Sequence, residues 1–125
     1  MRKKIVVVAR LWMDDEFRAI EAYPLKIDGY EKHEFAIHRE ILRDGTSKKW
    51  VVTEISTGRK VAMGQRTIKE AIQKTIEVLR INVKNSEDLE KIIEQSGKIP
   101  AEKAMIAMAK YYKKQEEKNE TNSSY

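Results

Sequence analysis

Cysteine is missing from all 125 residues of the chain. That excludes disulfides, thiolate metal sites and cysteine nucleophiles, and it fits a cytoplasmic protein. Histidine is scarce: His33 and His38 are the only two. They lie five apart in a strand-like run, and odd spacing sends them to opposite faces, so a shared metal would need a bulge. No apolar run reaches the length of a membrane-spanning helix. The opening MRKKIVVVARLWMDDEF has the basic and apolar regions of a leader. Arg10 interrupts the apolar run, however, and Asp14, Asp15 and Glu16 follow it, so a buried strand is the better reading. The five glycines form neither a dinucleotide-binding fingerprint nor a phosphate-binding loop.

What is present is charge. Lysine and arginine number 25 against 20 acids, a net +5, within a composition that is 41% hydrophobic and 36% charged. The excess is local. Residues 1–43 carry nine bases against eight acids, and residues 67–125 carry eleven against ten. Residues 44–66 carry Lys48, Lys49, Arg59, Lys60 and Arg66 against Asp44 and Glu54 only, a net +3.

The pattern predicts an α+β fold: an antiparallel sheet of three to five strands, packed against a capped helix over 67–81, with two C-terminal helices. Residues 3–12 are rich in β-branched residues and suit a central strand covered on both faces. Asp14 can cap a short helix that must end before Pro24. Asp28-Gly29 is a two-residue hairpin signal, and Asp44-Gly45 marks the next turn. The strand WVVTEIS then leads through Thr57-Gly58 into KVAMG. In this reading Val51 and Ile55 pack with Val61 and Met63 against the helix, leaving Trp50, Val52, Lys60 and Ala62 outward.

Thr67 and Glu70 have capping-box spacing. Behind them Ile68, Ala71, Ile72, Ile76 and Leu79 form a buried stripe. Ser86 caps a second helix that Gly97 ends, and Pro100 opens a third with Ala101, Ala104, Met105, Met108 and Tyr112 on one face. The composition reads as one domain over 1–114, divisible into a sheet-plus-helix unit (1–83) and a helical extension (84–114). Residues 115–125 read as a disordered polar tail.

Catalytic groupings are not found. The Asp14-Asp15-Glu16 cluster offers carboxylates to a divalent cation, but acids at a helix start more simply offset the dipole. No enzyme activity, cofactor or metal is expected. The basic hairpin remains: Lys48, Lys49, Arg59, Lys60 and Arg66 for phosphates, with Trp50 for stacking or groove contact. The final helix supports an alternative, a protein-binding module such as a phage-encoded inhibitor or accessory factor of a host enzyme. There Met105, Met108, Tyr111 and Tyr112 form the adaptable surface.

Over residues 50–80, the run KVAMGQRTIKEAI resembles the end of the arm-type DNA-binding domain of integrases. In that family a last strand, a glycine, a basic residue and a T-x-x-E-A helix start recur, matched by Gly64, Arg66, Thr67, Glu70 and Ala71. Gln65 stands where the family has an aromatic residue. The arrangement is also similar to that of small proteins of phages and plasmids. The resemblance implies a three-stranded sheet that meets duplex DNA, with a helix behind it and Thr67 and Glu70 as structural caps.

Overall fold

The computed structural model describes residues 3–11 and 16–123. The fold is α+β. Five antiparallel strands, β1 (Ile5–Arg10), β2 (Phe17–Leu25), β3 (Phe35–Leu42), β4 (Gly45–Glu54) and β5 (Arg59–Lys60), form a meander in sequence order. Three helices follow, α1 (Ile68–Asn82), α2 (Ser86–Ser96) and α3 (Ala101–Ser123).

β1 is an edge strand, not the central one expected, yet Val7, Val8 and Ala9 are all buried. The curl of the sheet explains this. The Arg10 amide donates to the Gly58 carbonyl at 2.7 Å, so the free edge of β1 meets the turn between β4 and β5. Inside the curl Val7, Ala22 and Ala36 pack with Ile20 and Ile55. Small side chains suit this space because strands face each other across it. On the outer face Phe35, Ile37 and Val52 pack with Ala71 and Leu79 of α1 and with Leu89 and Ile93 of α2. α3 covers β2.

The helix expected before Pro24 is strand β2 instead. It pairs with β1 from Arg10↔Phe17 to Ile5↔Ala22, so a continuous ladder overrides local helix preference. Pro24 falls where β2 has left β1 and pairs with β3 alone, which a residue without an N–H tolerates. The proposed cap Asp14, with Trp12, Met13 and Asp15, lies outside the described residues.

Asp28-Gly29 does turn the chain, with the Tyr30 amide on the Ile27 carbonyl at 3.0 Å, but inside a loop over 26–34 rather than a two-residue hairpin. Burial of Ile27 and Tyr30 fixes that loop, and the Tyr30 hydroxyl reaches the Val83 carbonyl at 2.6 Å. The next hairpin is tight, with Leu42 opposite Gly45, one residue earlier than Asp44-Gly45 implied.

The faces of β4 are the reverse of those expected. Val52 is buried against α1 with Trp50 and Val61 beside it, Ile55 lies inside the curl, and Met63 is exposed. Val51 and Val52 are both apolar, so alternation carried no face information, and both faces turn out to be covered.

Thr67 caps α1, its hydroxyl accepting from the Glu70 amide at 3.1 Å. The buried line is Ala71, Thr75 and Leu79, with Ile72 and Ile76 beside it and Ile68 outside. Thr75 is tolerated because its hydroxyl donates to the Ala71 carbonyl at 2.8 Å. Asn85, not Ser86, caps α2 through the Asp88 amide at 2.9 Å, and Gly97 ends it at φ 83°. Among the described side chains of α3 the buried one is Ala107, flanked by half-buried Ala104, Met108 and Tyr111. The stripe is therefore turned from the expected one, and Met105 and Tyr112 are exposed. The segment expected to be a disordered tail from Gln115 continues α3 through Ser123.

Candidate nucleic-acid interface

The cationic residues lie along one edge of the sheet. Lys48 and Lys49 stand on β4, opposite an irregularity in β3 between Arg39 and Ile41. The Ser47 hydroxyl shapes this stretch, accepting from the Lys49 amide at 3.0 Å and donating to Glu40 Oε1 at 3.2 Å. Beyond β5 the chain rejoins the edge where Trp50 and Gln65 exchange two backbone hydrogen bonds, at 2.7 and 2.9 Å. Gly64 makes that approach possible. A Cβ there would sit 3.0 Å from Lys49 Cβ and 3.1 Å from Glu40 Oε2. Arg66 therefore leaves the ladder beside Lys49, while Arg59 stands opposite Glu54 in the backbone register further along. Five residues of strand separate the two groups, roughly 17 Å at the usual rise.

Lys48, Lys49, Arg59 and Arg66 are all exposed, and among the described residues none has a carboxylate partner. Lys60 differs, with its Nζ 3.9 Å from Glu40 Oε2. Glu54 is buried, and its carboxylate accepts from the Ser56 amide and hydroxyl and from the Thr57 amide, so it is used within its own turn.

Trp50 does not present an open ring. It is half-buried against the α1 side of the core, and the Arg39 guanidinium lies 4.0 Å from its ring centroid. Arg39 Nη1 in turn donates to the Lys48 carbonyl. Trp50 thus holds Arg39, and Arg39 holds the backbone that carries Lys48. Stacking of a base on this ring would require Arg39 to leave.

Arg59 and Lys60 also border a cleft of about 700 Å³ at the mouth of the curl. His38 and Thr53 are among the residues around it. His38 Nδ1 lies 2.7 Å from the Arg39 carbonyl, which only accepts, so Nδ1 carries the proton. Nε2 then accepts from the Thr53 hydroxyl at 2.7 Å. Burial lowers the His38 pKa, against a smaller upward pull from the Arg39 carbonyl, and favours this neutral ring. A base next to a hydroxyl has the spacing of an activated nucleophile. Here His38 is 2% exposed and Thr53 1%, which closes the pair to a substrate.

His33 lies in the loop before β3, donating from Nε2 to the Ser86 carbonyl at 3.0 Å. Among the described residues no three acidic or histidine side chains converge as a metal site. Of the acidic cluster, Glu16 pairs with Arg18 at 3.7 Å, and Asp14 and Asp15 lie outside the described residues.

The four residues of the alternative surface are divided by α3. Met105 and Tyr112 are exposed, while Met108 and Tyr111 turn partly inward. The Tyr111 hydroxyl donates to Glu21 Oε1 at 2.9 Å, and its ring meets Tyr112 edge-on at 5.3 Å. Partial burial, and then the Glu21 carboxylate, raise the Tyr111 pKa.

Sequence reasoning missed Arg39, Glu40 and the His38–Thr53 pair. The apolar residues on both sides of the alternation in FAIH were the available signal, because they mark a strand covered on both faces and hence a buried His38. Among the described residues no helix is long and apolar enough to cross a membrane. No family model, curated protein or solved structure matches the chain.

Proposed function

We propose that the protein is a small, non-enzymatic, cytoplasmic nucleic-acid-binding protein of the kind carried by phages and mobile elements, and that it contacts duplex DNA along the β4–β5 edge. The observation that carries this reading is the set of exposed cations, Lys48, Lys49, Arg59 and Arg66, lacking carboxylate partners among the described residues. Cations left in water at a sheet edge are available to phosphates, and release of condensed counterions drives such binding. The roughly 17 Å between the two groups exceeds the ~12 Å width of a major groove, so the edge is long enough to reach phosphates on both of its sides. Trp50 serves as a support for Arg39 and the Lys48 backbone rather than as a stacking platform.

The test is a double charge reversal, Lys48→Glu with Lys49→Glu, followed by fluorescence anisotropy on labelled mixed-sequence duplex. Both side chains are exposed, so thermal stability is expected to stay near wild type. Affinity at low salt is expected to fall by about tenfold or more. Equal binding by the variant would remove this edge from consideration.

The exposed Met105 and Tyr112 favour a second reading, in which α3 docks on another protein. A co-purifying partner lost with Met105→Glu and Tyr112→Glu, in a protein without DNA affinity, would favour it.

A further inference from the structure

The cleft at the mouth of the curl is separate from the Lys48–Lys49–Arg66 group, none of which lines it. At about 700 Å³ it has the size of a small-molecule site, about 300–1,000 Å³. Its lining mixes charge and apolar surface. Arg10, Arg59, Lys60 and Lys74 contribute cations with one lining carboxylate, Glu40, and Lys74 is paired with Glu77 at 3.7 Å. Ile41, Val51 and Ala62 add apolar lining.

These features suit a ligand with an anionic end and an apolar body. We infer that the cleft binds a single nucleotide, with its phosphate on the Arg59–Lys60 rim and its base against Ile41, Val51 and Ala62. Arg59 has no carboxylate partner among the described residues and offers a planar fork that suits phosphate oxygens. The Lys60–Glu40 pair is long at 3.9 Å, so a phosphate can take the place of Glu40. The inference does not depend on duplex binding, and the nucleotide can come free or as the phosphorylated end of a strand.

The test is titration of the full chain with AMP, adenosine, inorganic phosphate and a 5′-phosphorylated single-stranded oligonucleotide, followed by amide chemical shifts and calorimetry. AMP is expected to bind about tenfold more tightly than adenosine or phosphate, with shifts centred on Arg59, Lys60 and Ala62. Ala62→Trp fills the cleft, and Lys74→Glu reverses a rim charge on a helix surface. Each is expected to weaken AMP binding by about fivefold or more.

Lys74→Glu keeps the test valid should Ala62→Trp fail to fold. Duplex affinity of the folded Ala62→Trp protein is expected to fall less than AMP affinity, because Lys48, Lys49 and Arg66 do not line the cleft and Arg59 belongs to both sites. Tighter binding of the phosphorylated oligonucleotide than of AMP assigns the cleft to strand ends, and equal binding assigns it to free nucleotide. Absence of AMP binding at about millimolar concentration would overturn the inference. AMP affinity insensitive to Lys74→Glu and to folded Ala62→Trp would also overturn it.

Discussion

Gly58→Ala should open the curl, and its cost can be worked from the structure. Gly58 has φ 72°, and a Cβ there would meet the Val8 carbonyl oxygen at 3.0 Å, the Arg10 amide nitrogen at 3.2 Å and Ile99 Cδ1 at 3.0 Å. The left-handed conformation costs a residue with a side chain about 1–2 kcal/mol. Two of the three close atoms are backbone, so relief requires β1 to move and weakens the Arg10–Gly58 hydrogen bond, for about 1 kcal/mol more. The sum is about 2–3 kcal/mol, a large part of the roughly 5–15 kcal/mol that holds a small domain together. In urea, with a slope of about 1–3 kcal/mol per molar, the midpoint should fall by about 0.7–3 M. Gly29→Ala is the control. Gly29 also has positive φ, at 90°, but a Cβ there meets nothing within 4 Å, so this variant carries the conformational cost alone. Amide exchange at Arg10 should quicken in Gly58→Ala and not in Gly29→Ala. If the two variants lose equal stability and Arg10 stays protected, the closure of β1 on this turn is wrong.

Other outcomes follow from single contacts. Thr67→Ala removes the acceptor for the Glu70 amide and should cost about 1 kcal/mol in urea denaturation. Burial holds His38 below its ordinary value of 6.5, so the unfolded chain takes up the proton first. Stability should therefore be complete above about pH 6.5 and decline as pH falls toward the folded value, and urea midpoints in His38→Gln should lack that part of the decline. Ala107→Leu should cost about 1–3 kcal/mol by overpacking α3 against the sheet. Met105→Ala, on the exposed side of the same helix, should stay within about 0.5 kcal/mol in the same assay.

Local signals were readable where one residue decides the geometry. Thr67 with Glu70 marked the start of α1, Gly97 the end of α2, and Pro100 the start of α3, because caps depend on neighbours a few positions away. The faces were not readable in the same way. Val51 and Val52 are both apolar, and which one meets α1 depends on how the sheet curls, a long-range property. The stretch FRAIEAY can form a helix in isolation, and only its pairing with Val6, Val7 and Val8 makes it a strand. The cationic group was legible as composition, but its partners were not. Glu40 next to Lys60, and Arg39 over Trp50, join residues eleven or more positions apart through strand register, which no short motif records.

The most direct test of the nucleic-acid reading is the salt dependence of binding to a labelled mixed-sequence duplex. With Lys48, Lys49, Arg59 and Arg66 each neutralising one phosphate, log affinity should fall with log salt at a slope of about −3 to −4. The Lys48→Glu and Lys49→Glu protein should give a slope shallower by about 2. No binding at low salt, or a slope unchanged by the double reversal, would contradict the assignment of duplex DNA to the β4–β5 edge.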